Sequence, residues 1–338
     1  MLLTLHTDSV ASMLRPSRKG AKPKLALEDL PAYARQTLDL HGLNITTDLL
    51  SGATPTFLEK FRERADKERC SCLLLIEPEP MELAHESDEI GNAGVDRIRK
   101  VLRAANILGC NAAAISIKSE DTEDFLDFTV DRFRQIVDTA DKLDMNVLIS
   151  PRKGLTEKPE RVTELIKKIG GFRVGTFPDF ESAIISGEPE SYLRKLVPYA
   201  SVLAATTIEL IEPEMPDETE APKKSKEKEP EPEEPKAEES EADLDEEIEE
   251  GEDDFRGDGL KGLLDAVLGA GDDEFEEEEP DPPAHKPYEL QPLVDTVASV
   301  GFDGTIAVRY IGSDDASKGT DLSRWALEHA VGIATAKK

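Results

Sequence analysis

The chain has 338 residues and a formal charge of −31, unevenly placed: residues 212–286 hold 32 Asp and Glu against 8 Lys and Arg, net −24, and the remainder is only −7. An acidic balance without a basic face argues against nucleic acid as a partner. No apolar run approaches the roughly 18 residues of a membrane span, and the opening MLLTLHTDSV lacks the basic flank and apolar core of a secretory signal. A cytoplasmic protein is therefore predicted. Its three cysteines, Cys70, Cys72 and Cys110, are too few for a disulfide framework and match no zinc spacing. Cys70 and Cys72 flank the start of an apolar run and read as buried thiols.

Residues 2–5 form a predicted first strand, followed by a basic loop over 15–24 that carries five Lys and Arg. A helix over 30–38, a strand over 42–47, a helix over 55–69 and a strand over 72–77 come next. Val95, Ile98, Val101, Leu102, Ala105 and Leu108 mark a helix stopped by Gly109, and residues 112–118 a fourth strand. A long helix over 125–143 leads into a fifth strand, 147–150. Pro159 then suits a first helical turn, and Val162, Leu165, Ile166 and Ile169 recur at helical spacing on one apolar stripe. Gly170 and Gly171 stop that helix, and 173–177 is a sixth strand. A helix over 190–196 and a seventh strand over 201–208 precede the acidic segment; a helix over 290–300, an eighth strand over 304–310 and a helix over 321–334 follow it.

Eight buried strands alternating with helices predict a (β/α)8 TIM barrel made of residues 1–211 and 287–338. No Gly-x-Gly-x-x-Gly turn follows the first strand, which weighs against a dinucleotide-binding sheet. Residues 212–286 are rich in Pro, Glu, Asp and Lys, and that composition predicts a disordered insert. One island at 259–269 sets Leu260, Leu263, Leu264, Val267 and Leu268 on one helical face. It reads either as a helix that folds onto a protein partner's groove or as one that packs on the barrel or stays coil.

In such barrels chemistry collects at the C-terminal ends of the strands. Those ends supply His6, Thr47 with Asp48, Glu77, Lys118, Ser150 with Arg152 and Lys153, Asp179, Thr206 with Thr207, and Arg309. Each has a bland reading as a solvated or capping side chain. Together they predict a mouth with several cations, suited to a phosphate or a carboxylate.

The stretches PERVTELIKKIGGFRVGTFPDF, ASVGFDGTIAVRYIG and LEDLPAYARQTLDLHGLNIT resemble the sugar phosphate isomerase/epimerase group. These are the xylose isomerase-like TIM barrels of the superfamily that also holds endonuclease IV-type enzymes. The resemblance covers the chain outside the insert. It implies one divalent metal (Mn, Mg or Zn) held by a Glu ending strand five, an Asp ending strand six, a His near strand seven and a Glu ending strand eight. Asp179 matches the Asp. The other positions fall at Ser150 or Pro151, within residues 204–207, and at Arg309. A lone Asp179 is a poor site for a divalent ion, although His6 and Glu77 are candidates to rebuild one with it.

The resemblance thus implies an isomerase- or epimerase-like barrel for a small carbohydrate or sugar phosphate, its metal site largely lost and no cofactor expected unless the family activity survives. Arg309 is then placed to pair with Asp179 across the mouth. A metal-free reaction would need a base such as Lys118 or Lys153. The competing expectation is a pseudoenzyme, a non-catalytic scaffold that engages a protein partner through the acidic insert.

Overall fold

The protein is seen in a computed structural model that describes residues 1–16, 18, 21–213 and 281–337. The predicted helix at 259–269, its partner contact and most of the acidic insert lie outside these residues.

Eight parallel strands form the wall: β1 (Leu2–His6), β2 (Gly42–Thr46), β3 (Ser71–Ile76), β4 (Ala112–Ile115), β5 (Asn146–Ile149), β6 (Val174–Thr176), β7 (Val202–Thr207) and β10 (Thr305–Tyr310). Their order is β6-β5-β4-β3-β2-β1-β10-β7. The curl brings β6 round to β7, where only two isolated bridges, Thr176 to Ala200 and Asp179 to Ala204, span the seam. There the Ala204 N–H donates to the Pro178 carbonyl at 2.9 Å. Gly175 makes the approach possible, since a Cβ at that position would lie 2.4 Å from the Tyr199 carbonyl oxygen.

Strand alternation sorts the core into two layers. Leu74, Ile76, Ala112, Ala114, Leu148, Phe177, Val202, Ala204 and Ala307 fill the barrel. Their neighbours Leu75, Ala113, Ile115, Val147, Ile149, Leu203, Ile306 and Val308 pack outward under the helices. The interior alanines Ala112, Ala114, Ala204 and Ala307 leave room in the lumen for the larger Leu74, Ile76, Leu148 and Phe177.

The helices on the described residues are α1 (Ala11–Leu14), α2 (Leu30–Gln36), α3 (Pro55–Lys67), α4 (Asp88–Leu108), α5 (Glu123–Leu143), α6 (Pro159–Ile169), α7 (Phe180–Ile185), α8 (Pro189–Leu196), α9 (Gln291–Ser299) and α10 (Ala316–Ala336). In α6 the predicted stripe Val162, Leu165, Ile166 and Ile169 is buried. Gly170, at φ +79°, ends the helix in a conformation that favours glycine. None of these helices is long and apolar enough to cross a membrane. Cys70, Cys72 and Cys110 are all buried and free, and burial pushes the Cys70 and Cys72 thiols up to about 12.

Several elements go beyond the sequence reading. A 3-10 turn, Thr7–Val10, follows β1 directly. Helix α7 starts immediately after Asp179, whose side chain caps it by accepting from the Glu181 N–H at 3.1 Å. Finally, β8 (Leu210–Ile211) pairs antiparallel with β9 (Ala284–His285), two residues that the sequence reading assigned to the insert. His285 secures this hairpin. Its Nε2 accepts from the Ile208 N–H at 3.0 Å, so Nδ1 carries the proton and donates to the Tyr288 carbonyl, also at 3.0 Å.

Candidate functional site

A pocket of about 190 Å³ opens at the C-terminal ends of the strands. Its charged walls are Asp8, Glu77, Asp179 and Arg309, its neutral polar walls His6, Thr46, Ser116 and Ser150, and Phe177 forms part of its apolar surface. These side chains converge because β1, β7 and β10 each turn every second residue inward. His6, Thr206 and Arg309 are the last inward positions of those strands.

Arg309 is the centre of the site. Its Nε and Nη2 donate to Asp8 Oδ2, both at 3.0 Å, and its Nη1 donates to Asp179 Oδ2 at 3.1 Å. Thr206 joins the cluster, donating to Asp179 Oδ2 at 2.7 Å. Burial works against the charge on Arg309, but the carboxylates of Asp179 and Asp8 more than offset it and raise its pKa. Its side chain is 27% exposed, against 16% for Asp179 and 32% for Asp8.

Glu77 is buried beside them. Arg97 of α4 reaches it from behind through two contacts, Nε at 2.7 Å and Nη2 at 2.6 Å, while its other oxygen accepts from the Glu79 N–H at 3.2 Å. His6 is stacked near Phe177, with ring centroids 6.4 Å apart and planes 8° from parallel. Its Nδ1 accepts from the Asp8 N–H at 3.1 Å, so the neutral ring carries its proton on Nε2. Burial lowers its pKa to about 4; Asp8 opposes this shift and Arg309 adds to it.

This gives His6 a definite pH signature. The folded protein holds it neutral down to about pH 4, whereas the unfolded chain protonates it near 6.5. Between those values the unfolded state binds the extra proton, so stability falls as pH drops through this window, by an amount approaching 3 kcal/mol. Urea titrations of the wild type and of His6→Gln at pH 7.5 and pH 4.5 test it: the variant should lose distinctly less stability over that interval.

The predicted mouth residues divide into two sets. His6, Glu77, Ser150, Asp179, Thr206 and Arg309 come together in or against the pocket. Lys118, Arg152 and Lys153 are exposed and do not line it. Strand β4 ends at Ile115, so the chain has already left the wall when it reaches Lys118, which pairs with Glu82 at 2.8 Å. Asp48 pairs with Arg15 on the outside, and Thr207 faces away from the lumen to bond Ser323 at 2.6 Å. Of the cations expected at the mouth, Arg309 alone lines the pocket, against three carboxylates. Asp8 was not singled out in the sequence, because it sits in a turn two residues beyond the strand. The short spacing His6-Thr7-Asp8 at a strand end was the available signal.

The donor set does not fit a divalent metal. Both oxygens of Asp179 are engaged, by the Glu181 N–H on one side and by Thr206 and Arg309 on the other. The positions that the resemblance assigns to strands five and seven, Ser150 or Pro151 and residues 204–207, hold only neutral side chains, and the strand-eight position holds a guanidinium that would repel a cation. Among the described residues no group of three or more His, Cys, Asp or Glu is arranged to hold a metal ion.

No family model matches the chain, and no curated protein sequence matches it. Solved structures do. A D-tagatose 3-epimerase-like protein is 14% identical with a TM-score of 0.61, over 100% of this chain and 99% of that one. The IOLI protein with a binding zinc atom is 11% identical with a TM-score of 0.62, over 98% and 99%. A xylose isomerase-like TIM barrel protein from Mycobacterium smegmatis in complex with magnesium is 12% identical with a TM-score of 0.58, over 98% and 97%. At such identities the likeness is one of fold: the chain is an α/β TIM barrel similar to those of these proteins.

Proposed function

We propose that the mouth binds a small, unphosphorylated carbohydrate-type ligand without a divalent metal, Arg309 supplying the positive charge at its centre. The observation that carries this reading is the Arg309 bridge between Asp8 and Asp179, which puts a fixed cation among carboxylates inside the pocket. Around it stand groups suited to a polyol. The Nε2–H of His6 is a donor and the Ser116 and Ser150 hydroxyls both donate and accept. Asp8 Oδ1 is an acceptor with no hydrogen-bond partner among the described residues. At about 190 Å³ the cavity falls below the roughly 300–1,000 Å³ of drug-sized sites, which limits the ligand to a small molecule.

The same inventory favours binding over proton transfer. Asp8, Glu77 and Asp179 are each committed to an arginine, and His6 is neutral with Nδ1 already occupied. A phosphoryl group would enter a pocket where carboxylates outnumber the one lining guanidinium. The sugar epimerase named among the structural neighbours supports a carbohydrate, and the unfit donor set supports a ligand held without metal.

Calorimetric titration of D-tagatose, D-fructose and fructose 6-phosphate tests this, in EDTA and again with 1 mM Mn²⁺. Saturable binding of an unphosphorylated sugar is expected, with an affinity that Mn²⁺ changes less than twofold. Binding that appears only with Mn²⁺, or tightest binding by the phosphate, would contradict the reading.

A further inference from the structure

We infer that the ligand of this mouth carries a single positive charge, as an amino sugar does; the inference rests on the carbohydrate reading above. Asp8, Glu77 and Asp179 bring three negative charges to the pocket. Glu77 is neutralised from behind by Arg97, which holds it at 2.6 Å. Arg309 is left to serve two carboxylates, Asp8 and Asp179, at 3.0 and 3.1 Å. His6, the other basic group in contact, is neutral. The pocket therefore ends with one carboxylate charge in excess.

Hydrogen-bond geometry says where that excess lies. Asp179 uses both oxygens, one on the Glu181 N–H and one on Thr206 and Arg309. Glu77 likewise uses both. Asp8 binds Arg309 through Oδ2 alone, and its Oδ1 has no partner among the described residues. One uncompensated charge with one open carboxylate oxygen, in a small and partly buried pocket, is complementary to one ammonium group. A neutral sugar would leave that oxygen with only a hydroxyl, and a phosphate would oppose it. The cations that could have reversed this balance, Lys118, Arg152 and Lys153, stand outside the pocket.

The test compares D-glucosamine, D-glucose, N-acetyl-D-glucosamine and glucose 6-phosphate by calorimetry and ligand-observed NMR, at pH 6.5 in EDTA. Glucosamine is expected to bind at least about fivefold more tightly than glucose, and glucose 6-phosphate most weakly. Raising NaCl from 50 to 500 mM should shrink the glucosamine preference. Asp8→Asn should bring the glucosamine-to-glucose affinity ratio close to one, because it removes the surplus charge and keeps the shape. If glucose or its N-acetylated analogue binds as tightly as glucosamine, or the preference survives in Asp8→Asn, the charge inference is overturned while a carbohydrate mouth stands. If none of the four binds, and the ketoses above do not bind either, both readings are overturned.

Discussion

Arg309→Leu is expected to destabilise the protein by about 3 kcal/mol. The substitution leaves Asp8 and Asp179 facing each other without their shared cation. Removing one partner from a buried ion pair typically costs about 3–5 kcal/mol. The partial exposure of Arg309, 27%, places the value at the low end, and the melting temperature should fall by roughly 6–10 °C. Because the penalty comes from unpaired charge, it should shrink when the carboxylates are neutralised, either by Asp8→Asn in the same chain or by lowering the pH. A loss that neither treatment relieves would mean that the side chain matters through packing alone. Arg309→Glu extends the test. It sets three carboxylates at one point and creates demand for a cation, so that variant should melt lower in EDTA and recover part of the loss in millimolar Mn²⁺. A melting curve unmoved by Mn²⁺ would show that Arg309 does not stand where the resemblance assigns the strand-eight ligand.

Arg132→Met is expected to be about as damaging, at roughly 3–4 kcal/mol, for a different reason. Arg132 on α5 is only 4% exposed. Its Nη1 donates to the carbonyls of Leu83 at 2.6 Å and His85 at 2.5 Å, and its Nη2 to Ser87 at 3.5 Å and to Asp88 at 3.3 Å. The guanidinium also lies 5.6 Å from the centre of the Phe128 ring. One side chain thus supplies donors to the loop that joins β3 to α4, the loop that starts at Glu77. Methionine keeps the stem but leaves buried carbonyls unpaired, at about 1–3 kcal/mol each before relaxation. Lysine should not restore the loss, because a single ammonium cannot reproduce the planar fork. Gly91→Ala provides an independent check, since its Cβ would come within 2.1 Å of the Arg132 guanidinium carbon and should displace it. Denaturant midpoints measure the stability loss. Sugar titrations of the same variants report whether the pocket follows the loop, and unchanged midpoints would rule out Arg132 as its support.

The barrel was legible in the sequence because its strands are buried on both faces and so appear as short, continuous apolar runs between helical stripes. AAAI at Ala112–Ile115 and VLAATT at Val202–Thr207 are of this kind. Strand ends were read less well. Ser116, Ile117 and Lys118 alternate polar and apolar directly after the apolar run of β4, like a strand that continues, so Lys118 looked like a mouth residue although the strand ends at Ile115. Arg309 could be placed from the sequence because it stands two residues beyond Ala307 on the inward face of β10, and Asp179 because the resemblance sets it at the end of strand six. Asp8 could not, since a side chain in a 3-10 turn has no periodicity to reveal its direction. Helix α7 escaped notice because six residues are too few for an apolar stripe to repeat. Ser150 and Thr206 were identified by position, but Thr206 becomes informative only once it is seen donating to the Asp179 oxygen that Arg309 also holds.

The thin contact between β6 and β7 gives the pocket a second significance. Seven of the eight neighbouring strand pairs are laced by ladders of main-chain hydrogen bonds, whereas this one relies on two lone bridges. Its reinforcement comes from side chains: Asp179 at the end of one stave, Thr206 on the next and Arg309 behind them both. The clasp that closes the cylinder is thus made of the same atoms that would greet a ligand. A molecule that draws Asp179 away from Arg309 loosens the hoop, and one that slips in beside the pair tightens it. On the proposed reading, ligand binding is expected to change the opening of residues 174–179 against 200–206, and amide exchange along this seam would report occupancy before any change in overall shape.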